Sequence, residues 1–267
     1  GMVTHETYRS AEGKWLSPEE IRDGVEIATG EPITVGRVEK MSKSKKNTID
    51  PTAIVDQYGA DATRWFMLSD SPPERDLEWS ENGIEGAWRF VQRLWRLVDG
   101  VIEATDTPVG EDKVLARKLA QTVAGVAADI EALQFNKAVA KLYELVNAIE
   151  KAAPSAARSD AIRTLVRLVA PMTPHLAEEA WAAMGGAGLI AEAPWPDFDP
   201  TLLVEDEVSI AIQVNGKLRD TLTMPKGSDK AAVEAAARAN PAVLRVLEGR
   251  EPKKVIVVPD RLVNLVA

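Results

Sequence analysis

The sequence contains no cysteine among its 267 residues, which excludes disulfide bonds and thiolate metal ligands. Its only histidines are His5 and His175, so neither a histidine-based zinc site nor a Ser-His-Asp triad is supported. No apolar run is long enough to span a bilayer, and the first residues show no signal-peptide pattern. We therefore expect a cytoplasmic globular protein that makes no membrane contact and has no metal site of its own.

Charge is divided unevenly along a chain whose net charge is −9. Residues 1–204 carry 22 Lys and Arg against 32 Asp and Glu, which gives −10, whereas residues 208–267 carry ten against six, which gives +4. The length allows two or three domains. An acidic body with a basic C-terminal segment fits a polyanion partner that contacts selected surfaces.

A lysine-rich stretch runs from Lys40 to Asn47 and reads Lys-Met-Ser-Lys-Ser-Lys-Lys-Asn. Lysine ammonium groups act as mobile point charges for phosphate oxygens, and serine hydroxyls and loop amides add hydrogen bonds. Asp50-Pro51 follows as a helix start, with the acid as cap and the proline in the first turn. The stretch therefore predicts a phosphate-binding loop, and a solvated charged loop is the alternative.

Helical periodicity dominates residues 83–185. Ile84, Trp88, Val91, Trp95 and Val98 form the first apolar stripe, and four further helices follow, the last of them from Pro174 to Met184. A helix of this length must bury one face, so we expect these stripes to form the core of a bundle that includes Trp88, Trp95 and Trp181.

Upstream of the bundle, Asp61 is expected to cap a short helix from Ala62 to Leu68. Beyond the bundle, Pro194 to Pro200 excludes regular structure.

From Val208 onward the apolar period changes to two, and Asn215-Gly216 predicts a two-residue hairpin turn. Two short helices follow, and then two more strands, Val255 to Val258 and Leu262 to Val266. The predicted fold is a mainly α, multi-domain chain with a small C-terminal α+β domain of order strand-strand-helix-helix-strand-strand.

Ten stretches of the sequence resemble bacterial leucyl-tRNA synthetases, a family of class I aminoacyl-tRNA synthetases whose lysine-rich loop is the KMSKS loop. They are Lys40 to Asn47, Asp50-Pro51, Tyr58 to Asp61, Arg64 to Met67, Leu77 to Trp79, Gly83 to Ala87, Arg89-Phe90, Met172 to Glu179, Val214 to Arg219, and Val255 to Pro259. The resemblance covers nearly the whole chain. The family's HIGH motif, nucleotide-binding sheet and editing domain are absent from it, so the chain resembles the C-terminal part of such an enzyme and is expected to be inactive alone.

The resemblance also implies a division into five segments. They are a remnant beside the catalytic core with a short leucine-specific insertion (1–36), the KMSKS loop and stem-contact region (37–80), an anticodon-binding helical bundle (81–190), a linker (191–205) and a C-terminal tRNA-binding domain (206–267).

By the same resemblance, Lys43 and Lys40 are the catalytic residues, and Met41, Ser42 and Ser44 join them in binding ATP, which the intact enzyme uses with Mg²⁺. Leucine and tRNA(Leu) are the other implied partners, and a monomer is expected. The predicted tRNA contacts are the bundle residues Arg89, Arg93 and Arg96 and the C-terminal residues Lys217, Arg219, Lys253 and Lys254. For each of these seven residues, solvated surface charge is the alternative.

Two other interpretations remain open. The isoleucine, valine and methionine synthetases carry the same loop. The missing cysteines disfavour forms with a C-terminal zinc site, and the Asn215-Gly216 hairpin stands where a valine enzyme has a coiled-coil tail. A free-standing RNA-binding protein without catalytic activity is the third interpretation.

Overall fold

Helices make up most of the regular structure in the computed structural model, which describes residues 1–102, 110–203 and 207–266. The chain divides into two units, Gly1–Asp199 and Pro200–Ala267. None of the helices in the described ranges is long and apolar enough to cross a membrane. The expectation of a mainly α chain with more than one unit is confirmed, while the finer division into five segments stays a prediction.

Short strands of the first unit lie around the lysine loop. They are β1 (Val3–His5), β2 (Tyr8–Arg9), β3 (Trp15–Leu16), β4 (Ile21–Arg22), β5 (Val25–Glu26), β6 (Thr34–Val35), β7 (Glu39–Lys40) and β8 (Leu77–Glu78). Strand β1 pairs antiparallel with β7 and parallel with β8 in one three-stranded sheet. This sheet fixes the point where the chain enters the loop.

The helices of the first unit follow the loop. They are α1 (Pro51–Tyr58), α2 (Ala60–Ser69), α3 (Glu81–Ile102), α4 (Lys113–Glu131), α5 (Phe135–Lys151), α6 (Ala156–Val169) and α7 (Pro174–Ala183). Asp50 caps α1 as predicted, because its carboxylate accepts a hydrogen bond from the Thr52 N–H at 2.9 Å. Apolar faces of these helices share one core.

The buried face of α3 is rotated from the predicted stripe. Ala87, Phe90 and Leu94 are buried, whereas Trp88 is 40% exposed, so its placement in the core is wrong. Trp95 and Trp181 are partly buried against the core. Helical spacing allowed more than one apolar stripe in this segment, and the neighbouring helices selected the one that contains Phe90.

Asp61 does not cap its own helix, contrary to the prediction. Helix α2 begins at Ala60 after Gly59, whose φ of 87° favours glycine. The buried Asp61 carboxylate instead accepts hydrogen bonds from the backbone N–H groups of His175 (3.4 Å) and Leu176 (2.6 Å) at the start of α7. Its Oδ1 also lies 2.9 Å from the His175 Nδ1.

One turn further along α2, Arg64 binds the connection between α6 and α7 from its α6 side. Its guanidinium donates to the carbonyl groups of Pro171 (2.9 Å) and Met172 (3.1 Å), just beyond the end of α6. Negative charge at a helix N-terminus and positive charge at a helix C-terminus are both stabilising. Asp61 and Arg64 thus hold α2 against the turn between α6 and α7.

The second unit is a four-stranded sheet packed on two helices. Its elements are β9 (Glu207–Val214), β10 (Lys217–Pro225), α8 (Lys230–Ala239), α9 (Pro241–Leu247), β11 (Lys254–Val258) and β12 (Leu262–Val266). This chain order is the one predicted, and the order across the sheet is β10-β9-β12-β11. Asn215 and Gly216, with φ of 51° and 76°, form the predicted tight turn.

Removing the Asp61 charge should destabilise the first unit. We expect Asp61→Asn to lower the free energy of unfolding by about 1–3 kcal/mol, because two backbone N–H groups lose a buried charged acceptor. The matched control is Glu85→Gln, which removes an exposed partner of Arg89 on one helix face and should change stability by less than about 1 kcal/mol. Urea unfolding followed by helical circular dichroism measures both. Equal midpoints for Asp61→Asn and the wild type would show that the α7 cap contributes nothing.

Candidate phosphate-binding loop and basic surfaces

The lysine loop is a short chain reversal between β7 and α1. The Met41 N–H donates to the Val3 carbonyl at 3.2 Å, which continues the pairing of β1 with β7. Lys43–Lys45 then forms a single 3-10 turn, and Lys46 follows in the left-handed region with a φ of 55°. Met41 itself is partly buried against the core, so the loop begins from a fixed point.

Asn47 closes the base of this loop. Its side chain is fully buried, and its Oδ1 accepts a hydrogen bond from the Ser42 N–H at 2.9 Å. Its Nδ2 donates to the carbonyl groups of His5 (3.2 Å) and Glu39 (3.3 Å). The sequence prediction assigned Asn47 no role, and the only signal for one was an amide at the end of a run of charged residues.

The four lysines of the loop fall into two pairs. Lys45 forms an ion pair with Glu39, and Lys46 Nζ lies 3.0 Å from the Glu20 carboxylate. Lys40 and Lys43 are exposed, and among the described residues neither forms an ion pair. The two carboxylates explain why only Lys40 and Lys43 can take a new anionic partner without losing an existing one.

The pKa shifts of Glu39 and Glu20 agree with their ion pairs to Lys45 and Lys46. The hydrogen bond from Lys45 lowers the pKa of the Glu39 carboxyl below its ordinary value. The Ser17 backbone N–H lowers the pKa of the Glu20 carboxyl, with a further contribution from Lys46. Both carboxylates therefore stay ionised beside their lysines at neutral pH.

The hydroxyls of the loop are also grouped. The Oγ atoms of Ser42 and Ser44 lie 3.3 Å apart at the exposed side of the turn. These two hydroxyls and the two ammonium groups that lack an ion pair in the described part of the chain fit a polyphosphate, which takes both point charges and hydrogen-bond donors. Within the described ranges no group of three or more His, Asp or Glu residues is placed to hold a metal ion.

The three predicted arginines of the bundle lie on α3 but differ in their surroundings. Arg89 forms an exposed ion pair with Glu85 one turn earlier, at 3.2 Å. Arg93 donates two hydrogen bonds to Glu150 on α5, at 2.7 and 2.6 Å, and another to Asn147. Hydrogen bonding to Glu150 raises the pKa of the Arg93 guanidinium. Arg96 is exposed and forms no ion pair in the described part of the chain.

The predicted basic residues of the second unit lie at one end of its sheet. Strand register places Lys217 opposite Val214, Val214 beside Leu265, and Leu265 opposite Val255. Lys217 is therefore in the same row across the sheet as Val255, which directly follows Lys253 and Lys254. With strands about 4.8 Å apart, the two edge strands are separated by roughly 14 Å.

Arg219 lies within the same end of the edge strand β10. The register of β10 against β9 shifts between Leu218 and Asp220, so Arg219 lies at an irregularity of the strand pairing. Lys217, Arg219, Lys253 and Lys254 are all exposed. Among the residues that the structure describes, none of the four forms an ion pair.

Two protein-family models match the chain. Residues 31–80 match the class I tRNA synthetases of the I, L, M and V types, and residues 112–235 match the anticodon-binding domain of tRNA ligases. The first match contains the lysine loop, and the second contains α4 to α7.

Curated relatives are similar over the whole chain. The leucine--tRNA ligase of Rhizorhabdus wittichii is 69% identical over 267 residues, which are 100% of this chain and 32% of the relative. That of Zymomonas mobilis is 60% identical and that of Maricaulis maris 51%, again over 100% of this chain and 32% and 33% of the relative. The chain thus spans about a third of the length of the relatives it matches.

A solved structure has a similar fold. It is the LeuRS of Agrobacterium radiobacter K84 in a ternary complex with tRNA and LeuAMS, with a TM-score of 0.64 and 31% identity over 85% of this chain and 31% of that one. These likenesses support the leucine type over the valine and isoleucine alternatives and over a free-standing RNA-binding protein. Along its whole length the chain is therefore similar to a C-terminal part of bacterial leucine–tRNA ligases.

Proposed function

We propose that this chain is part of a leucine–tRNA ligase that activates leucine with ATP and transfers it to tRNA(Leu). In that enzyme it supplies the loop that engages the ATP phosphates and two surfaces that engage tRNA. The observation that carries the proposal concerns Lys40 and Lys43, whose ammonium groups form no ion pair with any described residue. They lie on a loop whose base is closed by Asn47. The similarity to leucine–tRNA ligases along the whole chain supports the choice of amino acid.

The role of the loop follows from the charge that the reaction develops. When the leucine carboxylate attacks the α-phosphate of ATP, pyrophosphate leaves and negative charge accumulates on phosphate oxygens. Cations positioned in advance at that charge stabilise the transition state more than the ground state. We assign this role to Lys43 first and to Lys40 second. Ser42 and Ser44 donate hydrogen bonds to the same oxygens, and Met41 anchors the loop at the core.

Contacts with tRNA are assigned to the cations that the fold leaves available. In the bundle, Arg96 forms no close ion pair among the described residues, and Arg89 has an exposed ionic partner that a phosphate can replace. Arg93 is the weakest of the three candidates because Glu150 and Asn147 already occupy its donors. In the second unit, four exposed basic residues at one end of the sheet suit the backbone of a folded RNA.

The purified chain of 267 residues should not catalyse leucine-dependent pyrophosphate–ATP exchange. The sequence has no HIGH motif, and the described residues form no nucleotide-binding sheet of the kind the family uses, so we expect the lysines to have no bound ATP to engage. The exchange assay should give the background rate at any leucine concentration. Exchange clearly above background would overturn this prediction.

In the intact enzyme, Lys43→Ala should lower the rate of exchange by on the order of 100-fold, because one transition-state contact is lost. The KM for leucine should stay near the wild-type value, since Lys43 is not assigned to leucine binding. The measurement is steady-state exchange with leucine and ATP varied in turn.

Lys46→Ala is the matched control for this change. It removes the same charge three residues away, but its ammonium group is already paired with Glu20. We expect a loss of less than about tenfold, the scale of one surface ion pair. Equal losses in the two variants would mean that overall loop charge, rather than the position of Lys43, controls the rate.

Neutralising the basic end of the second unit should weaken tRNA binding without slowing leucine activation. The variant changes Lys217, Arg219, Lys253 and Lys254 to Gln. Each lost phosphate contact should make the salt dependence of tRNA affinity shallower by about 0.7–0.9 units of log–log slope. Deleting residues 206–267 should have the same effect in a stronger form. Filter binding over a range of salt concentrations measures the slope, and the exchange assay measures activation.

A second quadruple variant controls for net charge alone. It changes four basic residues elsewhere in the same unit to Gln, namely Lys226, Lys230, Arg245 and Arg261. Its salt slope should stay close to that of the wild type. If both variants weaken binding equally, the effect is one of net charge, and if the deletion also abolishes activation, residues 206–267 are structurally required by the catalytic part.

A further inference from the structure

We propose that Asn47 is a positioning residue for leucine activation, which acts by setting where Lys43 stands. This inference rests on the proposed function of the loop and adds a residue to which that function assigned no part. Asn47 carries no charge and is fully buried, so it cannot itself reach ATP. Any effect on the reaction must pass through the backbone groups that it holds.

The hydrogen bonds of Asn47 tie three chain segments together. The carbonyl groups that its Nδ2 binds belong to His5 and Glu39, which are register partners across β1 and β7. Its Oδ1 binds the N–H of Ser42, two residues beyond the end of β7. The amide therefore joins the His5–Glu39 pair at the end of the β1–β7 ladder to the start of the loop.

The three hydrogen bonds fix the orientation of the amide and disfavour aspartate and alanine at this position. A reversed amide would direct its donors at the Ser42 N–H and its oxygen at two carbonyl groups. Aspartate would place a negative oxygen against both carbonyls in a buried site, which is strongly unfavourable. Alanine would leave the Ser42 N–H and one lone pair on each carbonyl without the amide.

The hydrogen bond between the Ser42 N–H and the Asn47 side chain closes the segment that carries Lys43. Within it, the Lys45 N–H donates to the Ser42 carbonyl at 3.2 Å and the Lys46 N–H donates to the Lys43 carbonyl at 3.3 Å. The backbone of Lys43 is thus held from both sides, while its side chain is exposed and has no ionic partner among the described residues. A hydrogen-bonded turn that presents an ammonium group with no ion-pair partner among the described residues suits preorganised charge stabilisation.

Loss of Asn47 should disturb the loop more than the fold. The ion pairs of Lys45 with Glu39 and of Lys46 with Glu20 still join the loop to the rest of the unit when the amide is absent. The loop then stays attached but lacks a defined base. Small displacements of a catalytic group cost rate even when binding is intact.

The experiment is a double-mutant cycle in the intact enzyme with Asn47→Ala, Lys43→Ala and the double variant. We expect Asn47→Ala to lower the exchange rate by roughly 10- to 100-fold, with the KM for leucine within about twofold of wild type. The double variant should be no slower than Lys43→Ala, because Asn47 has nothing left to position once the ammonium group is gone. Asn47→Ser, which keeps one hydrogen-bonding atom, should lie between wild type and Asn47→Ala and serves if the alanine variant does not fold.

Thr122→Val is the control for a stability effect. Thr122 is buried, and its hydroxyl donates to the Lys118 carbonyl within α4 at 2.7 Å, far along the chain from the loop. Its loss should lower the melting temperature and leave exchange kinetics unchanged at a temperature where all variants are folded.

Two outcomes overturn the proposal separately from the proposed function. If Lys43→Ala is slow but the effects of the two single changes multiply in the double variant, Asn47 acts independently of Lys43. If Asn47→Ala exchanges at the wild-type rate, it positions nothing. If instead Lys43→Ala has the wild-type rate, the proposed role of the loop fails, and this inference fails with it.

Discussion

Backbone groups left over at the ends of strands and helices must find partners, and this requirement holds the first unit together. Three side chains meet it over long sequence distances, two of them buried (Asn47 and Asp61) and one exposed (Arg64). Asn47 partners the end of the β1–β7 ladder, Asp61 the start of α7, and Arg64 the carbonyl groups beyond α6. In each case the side chain belongs to one element and the backbone group to another, so the contact also fixes how the elements pack.

The same contacts determine what the lysine loop can do. Asn47 holds the base of the loop, and Glu39 and Glu20 form ion pairs with Lys45 and Lys46. The four lysines therefore divide into two pairs with different roles. Two lysines attach the loop to the protein. The other two, Lys40 and Lys43, keep ammonium groups that a phosphate can bind without displacing a carboxylate, which the motif alone does not reveal.

Features with a local cause could be predicted from the sequence. Asp50 lies two residues before the N–H it caps, the Asn215-Gly216 turn depends on its own φ angles, and the alternation from Val208 reflects one buried sheet face. Features that depend on a distant partner could not be predicted. Asp61 lies at the start of a helix and has the side chain of a cap, but the sequence does not show that its carboxylate accepts from the start of α7 rather than of α2. Trp88 fits an apolar stripe, but helical spacing does not show which stripe a neighbouring helix covers.

For the candidate site, residue types predicted the chemistry but not which residues remain available for it. Arg93 and Arg96 are indistinguishable by charge and lie three residues apart on one helix. Arg93 hydrogen-bonds Glu150 and Asn147, whereas Arg96 forms no close ion pair among the described residues and affects Glu150 only through its charge. A new anion at Arg93 must compete with a bidentate carboxylate, and one at Arg96 need not. The choice between structural and functional roles for a basic residue therefore depends on the acids that the fold brings to it, and those acids come from distant parts of the sequence.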